Sequence, residues 1–356
     1  MKKNRTDNIW EFLGRNLPTT AYQCGGVMSL SIALAGWLCL AKETAPFAFA
    51  FLYLAAGTGV VLASVALCRT APAKSGLRFC ICLAAAAFAV RWVFVLLIPS
   101  EPVSDFQLMH YAACELARGN NILNDMPYFQ RWAYQSGFVA WMALWIRLFG
   151  ADVFFFQTIN CLFGAGCAVL VCALARRFAS PQGARAAGIL YLIYPGSIVL
   201  APVLTNQHLS ELLLLVSVYV ATGEGDRMKT RLLRGAAAGL LLALSDAIRP
   251  SAVVVMSAVL AVSALELLRW KELGRRGLLP VAAGALALAA ACVLSREALS
   301  WLVRVTGLNC CGLVNNVPQW KFILGLNPEN SGGYSRADEN IVFAYDQMTQ
   351  IREAAR

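Results

Sequence analysis

Long apolar runs separated by short basic stretches dominate the chain. A spanning helix needs about 20 mostly apolar residues, since each rises about 1.5 Å and the hydrocarbon layer is about 30 Å thick. Nine runs fit, near residues 20–41, 46–68, 79–98, 152–175, 184–202, 207–222, 232–248, 251–269 and 277–295, those at 207–222 and 232–248 being short. No small-residue cleavage site follows the first run, which therefore reads as a retained span rather than a signal peptide. The pattern predicts an all-α integral membrane protein, a polytopic bundle of about nine transmembrane helices.

Composition agrees with the pattern. Of 356 residues, 59% are hydrophobic and 14% charged, and the mean hydropathy is +0.60. Soluble domains are about 45–50% apolar and about 25% charged, so a water-soluble fold, a disordered chain and a disulfide scaffold fit poorly. The net charge of +10 does not point to nucleic acid, because the basic residues lie between apolar runs and not on one solvated face. Most of the twelve cysteines sit within the runs, where small apolar residues serve helix packing; they make no metal-ligand spacing with the two histidines, His110 and His208. Cys114, Cys310 and Cys311 fall outside the runs, and a disulfide among them is open.

The positions of Lys and Arg set an orientation. With the N-terminus cytoplasmic, the inner segments hold Lys2, Lys3, Arg5, Arg15, Arg69, Lys74, Arg78, Arg176, Arg177, Arg185, Arg227, Lys229, Arg231, Arg234, Arg269, Lys271, Arg275 and Arg276. The outer side, apart from the long C-terminal segment, holds only Lys42, Arg118, Arg131, Arg147 and Arg249. Residues 136–149 (GFVAWMALWIRLFG from 137) are apolar too, but a crossing there would place Arg176, Arg177 and Arg185 outside. They are expected to form a helix in the outer interface, with Trp141 and Trp145 at headgroup level. The polar mass then gathers outside, in the long segments 99–151 and 296–356, and any chemistry faces outward. The expected location is the cell membrane, with several passes and an extracytoplasmic active site.

Within the first of these segments, Ser104 is placed to cap a juxtamembrane helix running to about Arg118, ended by Gly119. Asp105 falls in its first turn, where it either complements the helix dipole or serves as a base toward an acceptor hydroxyl. Arg91, inside the third run, either snorkels to the headgroups or faces a cavity and holds a lipid phosphate. Glu211 poses the same question with the opposite sign, and His208, one turn away, is a partner for it. In LSDAIRP (244–250), Arg249 sits where a span meets the outer surface, as an interfacial anchor or as a guanidinium fork for phosphate. A Gly-rich phosphate loop and a Rossmann fingerprint are absent from the sequence, and Asp105 with its distant acids makes no recognisable metal-ligand set. No protein metal site and no tightly bound cofactor are expected, and dependence on a divalent metal is left open.

The stretch SDFQLMHYAACELARGN, then YFQRW, WMALWIRLFG, YLIYPGSIVL, SELLLL and LLALSDAIRP, resembles the C-type (GT-C) membrane glycosyltransferases. The bacterial branch similar to protein O-mannosyltransferases and lipid A aminoarabinose transferases is the nearest, and the resemblance covers about residues 79–350, including LGLNPENSGGYSRADEN. It implies a polyprenyl-phosphate-linked sugar as donor, inverting transfer on the outer face, and a catalytic aspartate at the position of Asp105. Many relatives carry a second acid directly after it, where this chain has Phe106; Asp125, Glu115 and Glu211 are the substitutes at hand. The family core would be residues 79–295, with 1–78 contributing a cytoplasmic tail and two additional spans, and 296–356 an outer C-terminal loop. Relatives continue with more spans, so a chain stopping at Arg356 reads as truncated or as a short variant.

On this reading Arg249, Arg131 or Arg91, with His208 nearby, receives the donor phosphate, and Asp105 deprotonates the acceptor hydroxyl of a protein, glycolipid or wall polymer. The segment 296–356 is either a lid over the sugar or a mobile tail, with Trp320, Lys321, Asn327 and Tyr334 as sugar or phosphate contacts. A transporter or flippase of lipid-linked sugars or envelope precursors is the main competing class, and a scaffold subunit a third. A transporter would use two related halves with charges near the midplane, and no such repeat is found in the sequence.

Overall fold

In a computed structural model of the protein, the described residues are 76–343 apart from 226, 269 and 328–332. The expected spans at 20–41 and 46–68 and the N-terminal tail lie outside them. Every regular element among the described residues is helical: α1 (Gly76–Leu97), α2 (Ser104–Ala117), α3 (Pro127–Arg131), α4 (Ser136–Phe149), α5 (Val153–Phe178), α6 (Pro181–Leu192), α7 (Pro195–Val199), α8 (Gln207–Ala221), α9 (Met228–Ile248), α10 (Ala252–Leu267), α11 (Trp270–Val305), α12 (Gln319–Leu326) and α13 (Arg336–Phe343). The left-handed backbone of Gly274 breaks α11 near its start.

Three of these helices are long and apolar enough to cross a membrane: α1, α5 and the Gly277–Val305 portion of α11. Their outward faces carry exposed Leu77, Leu97, Leu162, Leu286 and Leu294, a surface suited to lipid. The other expected spans differ from this. The runs at 207–222 and 251–269 are the shorter apolar helices α8 and α10. The run at 184–202 is not one helix but two, α6 and α7, because Pro195 has no N–H to continue a helix and disfavours helical backbone before it. The run at 232–248 begins earlier, at Met228, and its helix includes Lys229, Arg231 and Arg234 at one end and Asp246 at the other. Helix α11 extends to Val305, so the C-terminal segment starts a turn or more after residue 296.

Small residues bring the helices together. On α9, Gly235 and Gly239 form a GxxxG face against α11: a Cβ on Gly235 would lie 2.2 Å from the Gly284 carbonyl oxygen, and one on Gly239 2.3 Å from that of Leu288. At the C-terminal end of α9, a Cβ on Gly137 would lie 1.8 Å from the Ala247 carbonyl oxygen, so α4 packs on the last turn of α9 by direct backbone contact. A core of Met109, Leu123, Phe129, Phe138, Met142, Phe156, Leu204 and Ile248 then joins α2, α3, α4 and the adjoining ends of α5 and α9. Trp141 and Trp145, expected at headgroup level, pack among Phe138, Phe149, Phe155 and Phe156.

Residues 307–316 are laced to 121–136 by hydrogen bonds. The Asn121 amide donates to the Gly307 carbonyl (2.7 Å), the Cys310 N–H to Asn124 Oδ1 (2.8 Å), and buried Asn309 to the Phe129 carbonyl (3.0 Å) and Ser136 Oγ (2.9 Å). The Tyr134 and Asn316 N–H groups donate to the Val314 and Arg131 carbonyls. These bonds hold the start of the C-terminal segment against the loop between α1 and α4. Cys114, Cys310 and Cys311 are thiols, with no disulfide among the described residues.

Candidate functional site

A cavity of about 850 Å³ opens at the end of the bundle where α9 finishes. Its walls come from four places in the chain: Ser104, Asp105, Phe106 and Met109 of α2; Tyr128, Arg131, Trp132, Tyr134 and Gln135; Asn206, Arg249 and Pro250; and Asn315, Trp320, Leu324, Tyr334 and Glu339. Of the residues singled out from sequence, Asp105, Arg131, Arg249, Trp320 and Tyr334 meet here.

Local backbone explains how the charged groups arrive. Asp105 is exposed in the first turn of α2, but Ser104 does not cap that helix as expected. Ser104 is the first residue of the helix and has φ +51°, in the left-handed region; Val103 is the N-cap and no side chain caps the helix. Among the described residues Ser104 is the one non-glycine with positive φ, and such outliers cluster where function over-determines the backbone. Arg249 takes extended backbone (φ −152°, ψ 127°) just before Pro250, which turns it out of α9 at the cavity rim.

A polar chain leads from Arg249 toward Asp105. Arg249 Nη1 donates to Asn206 Oδ1 (3.3 Å), and Asn206 Nδ2 donates to Gln135 Oε1 (2.9 Å) and to the Ile248 carbonyl (3.0 Å). The Tyr128 hydroxyl in turn interacts with the Gln135 amide and the Asp105 carboxylate. Burial, with the Asp105 charge adding to it, pushes the Tyr128 phenol well above the ordinary tyrosine range. Burial also raises Tyr134, opposed by the Arg249 guanidinium and reinforced by Asp105. Both phenols therefore keep their protons at neutral pH and are donors.

The far wall is aromatic. Trp320 is buried, its ring 5.3 Å from that of Phe343 and 6.3 Å from that of Tyr334. The Arg131 guanidinium lies 3.9 Å from the Phe343 ring centre, and the Tyr334 hydroxyl donates to Glu339.

The remaining expected residues sit elsewhere. Arg91 is fully buried among α1, α6 and α7, bonded to Ser197 Oγ and to the carbonyls of Ala87, Tyr191 and Leu192. His208 is buried and bonds the Leu200 carbonyl (2.9 Å), while Glu211 accepts from the Tyr191 hydroxyl (2.7 Å), so the two do not pair with each other. Glu115 accepts from Arg118 and Asn120, and Asp125 is exposed in the turn before α3. None of the three acids considered as partners for Asp105 lines the cavity. Asn327 bonds Asp338, tying α12 to α13, and Lys321 lies on α12. Sequence reasoning missed Tyr128, Tyr134, Gln135, Asn206, Asn315 and Glu339. Tyr128 and Arg131 share the YFQRW stretch, and that proximity was the available signal.

Among the described residues no group of three His, Cys, Asp or Glu side chains is placed to hold a metal ion. No family model, curated protein or solved structure matches the chain.

Proposed function

We propose that the protein is a membrane glycosyltransferase that moves a sugar from a polyprenyl-phosphate donor to an acceptor hydroxyl on the extracytoplasmic face. One observation carries the reading: a single cavity is lined by a carboxylate, Asp105, two guanidinium groups, Arg131 and Arg249, and an aromatic wall around Trp320. That set matches the parts of the reaction. The cations suit a phosphate that gains charge as it leaves. The aromatic wall suits a sugar ring, and the carboxylate suits a hydroxyl that must lose its proton.

In the single displacement, the acceptor O–H gives its proton to Asp105 while its oxygen bonds the anomeric carbon. The bond from that carbon to the phosphate oxygen breaks, and its electron pair leaves with the phosphate held by Arg249 and Arg131. Attack opposite the leaving group inverts the anomeric centre. The Tyr128 hydroxyl and the Asn206–Gln135 pair hold the base and the cation in one frame. The resemblance to C-type glycosyltransferases supports the same assignment, as does the charge asymmetry. The cavity lies at the C-terminal end of α9, whereas Arg227, Lys229, Arg231 and Arg234 gather at its N-terminal end, the end expected to face the cytoplasm.

The test incubates membranes holding the protein, or its Asp105→Asn variant at equal expression, with a panel of polyprenyl-phosphate sugars and envelope extract, followed by mass spectrometry. The expected result is consumption of one donor, with the variant slower by about 10²–10⁴-fold. Movement of a lipid-linked sugar across the bilayer without any glycosyl product would instead favour the transporter class. Equal rates for protein and variant would remove Asp105 as the base.

A further inference from the structure

The cavity contains a second carboxylate that does not belong to the loop carrying Asp105. Glu339 sits on α13, in the C-terminal segment, and its side chain lines the same space. The geometry points to Glu339 as the residue that recognises the donor's sugar, accepting hydrogen bonds from sugar hydroxyls; this rests on the donor reading above.

Three features separate its role from that of Asp105. One of its oxygens, Oε2, accepts the Tyr334 hydroxyl, and a carboxylate has a second oxygen able to accept, on a side chain that lines the cavity. That same bond holds the Tyr334 proton in place, so the pair meets a ligand as an ordered acceptor with a neutral phenol beside it. Its backbone is also fixed. The Glu339 N–H donates to the Ser335 carbonyl (3.0 Å), the Asp338 N–H to Ser335 Oγ (3.2 Å), and the Asn327 amide to the Asp338 carboxylate. A recognition group gains precision from such support.

The placement also divides the ligand. Phe343, under the Arg131 guanidinium, follows Glu339 by one helical turn, so cation and carboxylate border the same face of α13. A phosphate is drawn to the guanidinium and repelled by the carboxylate. A polyol, rich in O–H donors and without charge, has the opposite preference. The pair therefore sorts the sugar end of a lipid-linked donor from its phosphate end, and makes the sugar-bearing lipid bind better than the bare one.

The experiment uses the full chain in lipid nanodiscs and native mass spectrometry. The probes are bare polyprenyl phosphate and a panel of polyprenyl-phosphoryl hexoses and pentoses. Wild type is expected to prefer at least one sugar-bearing lipid over the bare lipid. Glu339→Gln should weaken that lipid about 10-fold or more while leaving bare polyprenyl phosphate within about 2-fold. Tyr334→Phe, which keeps the carboxylate, should cost less than Glu339→Gln.

Unchanged discrimination in Glu339→Gln overturns the proposal, as does equal wild-type affinity for bare and sugar-bearing lipids. Loss of both lipids in Glu339→Gln also overturns it, since the residue would then hold the fold and not the sugar. If wild type binds neither lipid, the donor reading itself fails and takes this inference with it, an outcome distinct from the others because no variant is needed to see it.

Discussion

Two arginines that follow apolar stretches of the sequence, Arg91 and Arg249, have opposite fates. Arg91 is buried, and its five N–H donors match five hydrogen bonds: Nε and Nη2 to Ser197 Oγ (3.3 and 2.9 Å), Nη1 to the carbonyls of Ala87 (3.0 Å) and Leu192 (3.3 Å), and Nη2 to that of Tyr191 (3.2 Å). Arg249 is exposed at a cavity, with one side-chain bond, 3.3 Å long, to Asn206. The contrast separates structure from binding. A charge whose donors are used within the chain holds the fold, whereas a charge turned toward open space is available to a ligand.

The reason Arg91 is needed lies in the break before Pro195. Helix α6 ends at Leu192, where the last-turn carbonyls lose the N–H partners that a continuing helix would supply. Arg91 reaches across from α1 to the carbonyl of Leu192 and to that of Tyr191, which also accepts the Tyr194 N–H (3.2 Å), and Gly164 on α5 makes room: a Cβ there would lie 2.5 Å from Nε. The largest effect is therefore expected from Arg91→Met, which removes all five of these bonds, takes the side-chain donor from the Leu192 carbonyl and should cost about 3 kcal/mol of stability. Denaturant titration of the detergent-solubilised protein measures it. A variant that unfolds like wild type but no longer transfers sugar would break the comparison, by moving Arg91 into the site.

The same contrast explains how much could be read from the sequence. Asp105 and Arg249 were legible because each sits just past or at the end of an apolar run, and Arg131 because it lies in the long outer segment, where a polar group is already near water. Arg91, Glu211 and His208 were legible as polar residues inside runs, but their partners come from α6 and the loop after α7, which an unbroken span at 184–202 concealed. Its apolar side chains outweighed the single Pro195 in the pattern. Glu339, Asn206 and Gln135 left no signal of shared purpose. They meet because backbone contacts such as Gly137 on Ala247, and the bonds lacing 307–316 to 121–136, bring four distant segments to one cavity.

Arg249→Gln gives the next largest effect. Removing one charged donor should weaken binding of bare polyprenyl phosphate about 10- to 100-fold, since a hydrogen bond to a charged group is worth about 1.5–3 kcal/mol. Stability should change by less than about 0.5 kcal/mol, as for other surface substitutions. The pairing of the two variants sharpens the contrast: Arg91→Met acts on the unfolding midpoint, Arg249→Gln on affinity. If Arg249→Gln lowers stability and spares lipid binding, the exposed guanidinium is an anchor and not a phosphate site.

The smallest effect concerns the strained residue beside Asp105. A non-glycine residue in the left-handed region costs about 1–2 kcal/mol, which Ser104 bears at φ +51°. Ser104→Gly removes that cost but gives the unfolded chain more freedom, worth about 0.5–1 kcal/mol in the other direction. The net change should be stabilising and no larger than about 1 kcal/mol. Under the proposed function the transfer rate should move the other way, falling by about 10-fold or less, because the same freedom loosens the placement of Asp105, the proposed base. Ser104→Ala, which keeps the Cβ and the strain, should match wild type in both respects. Thermal unfolding and initial transfer rates on the three proteins decide it: a glycine variant that is less stable, or an alanine variant that loses rate, would show that the hydroxyl matters and the backbone geometry does not.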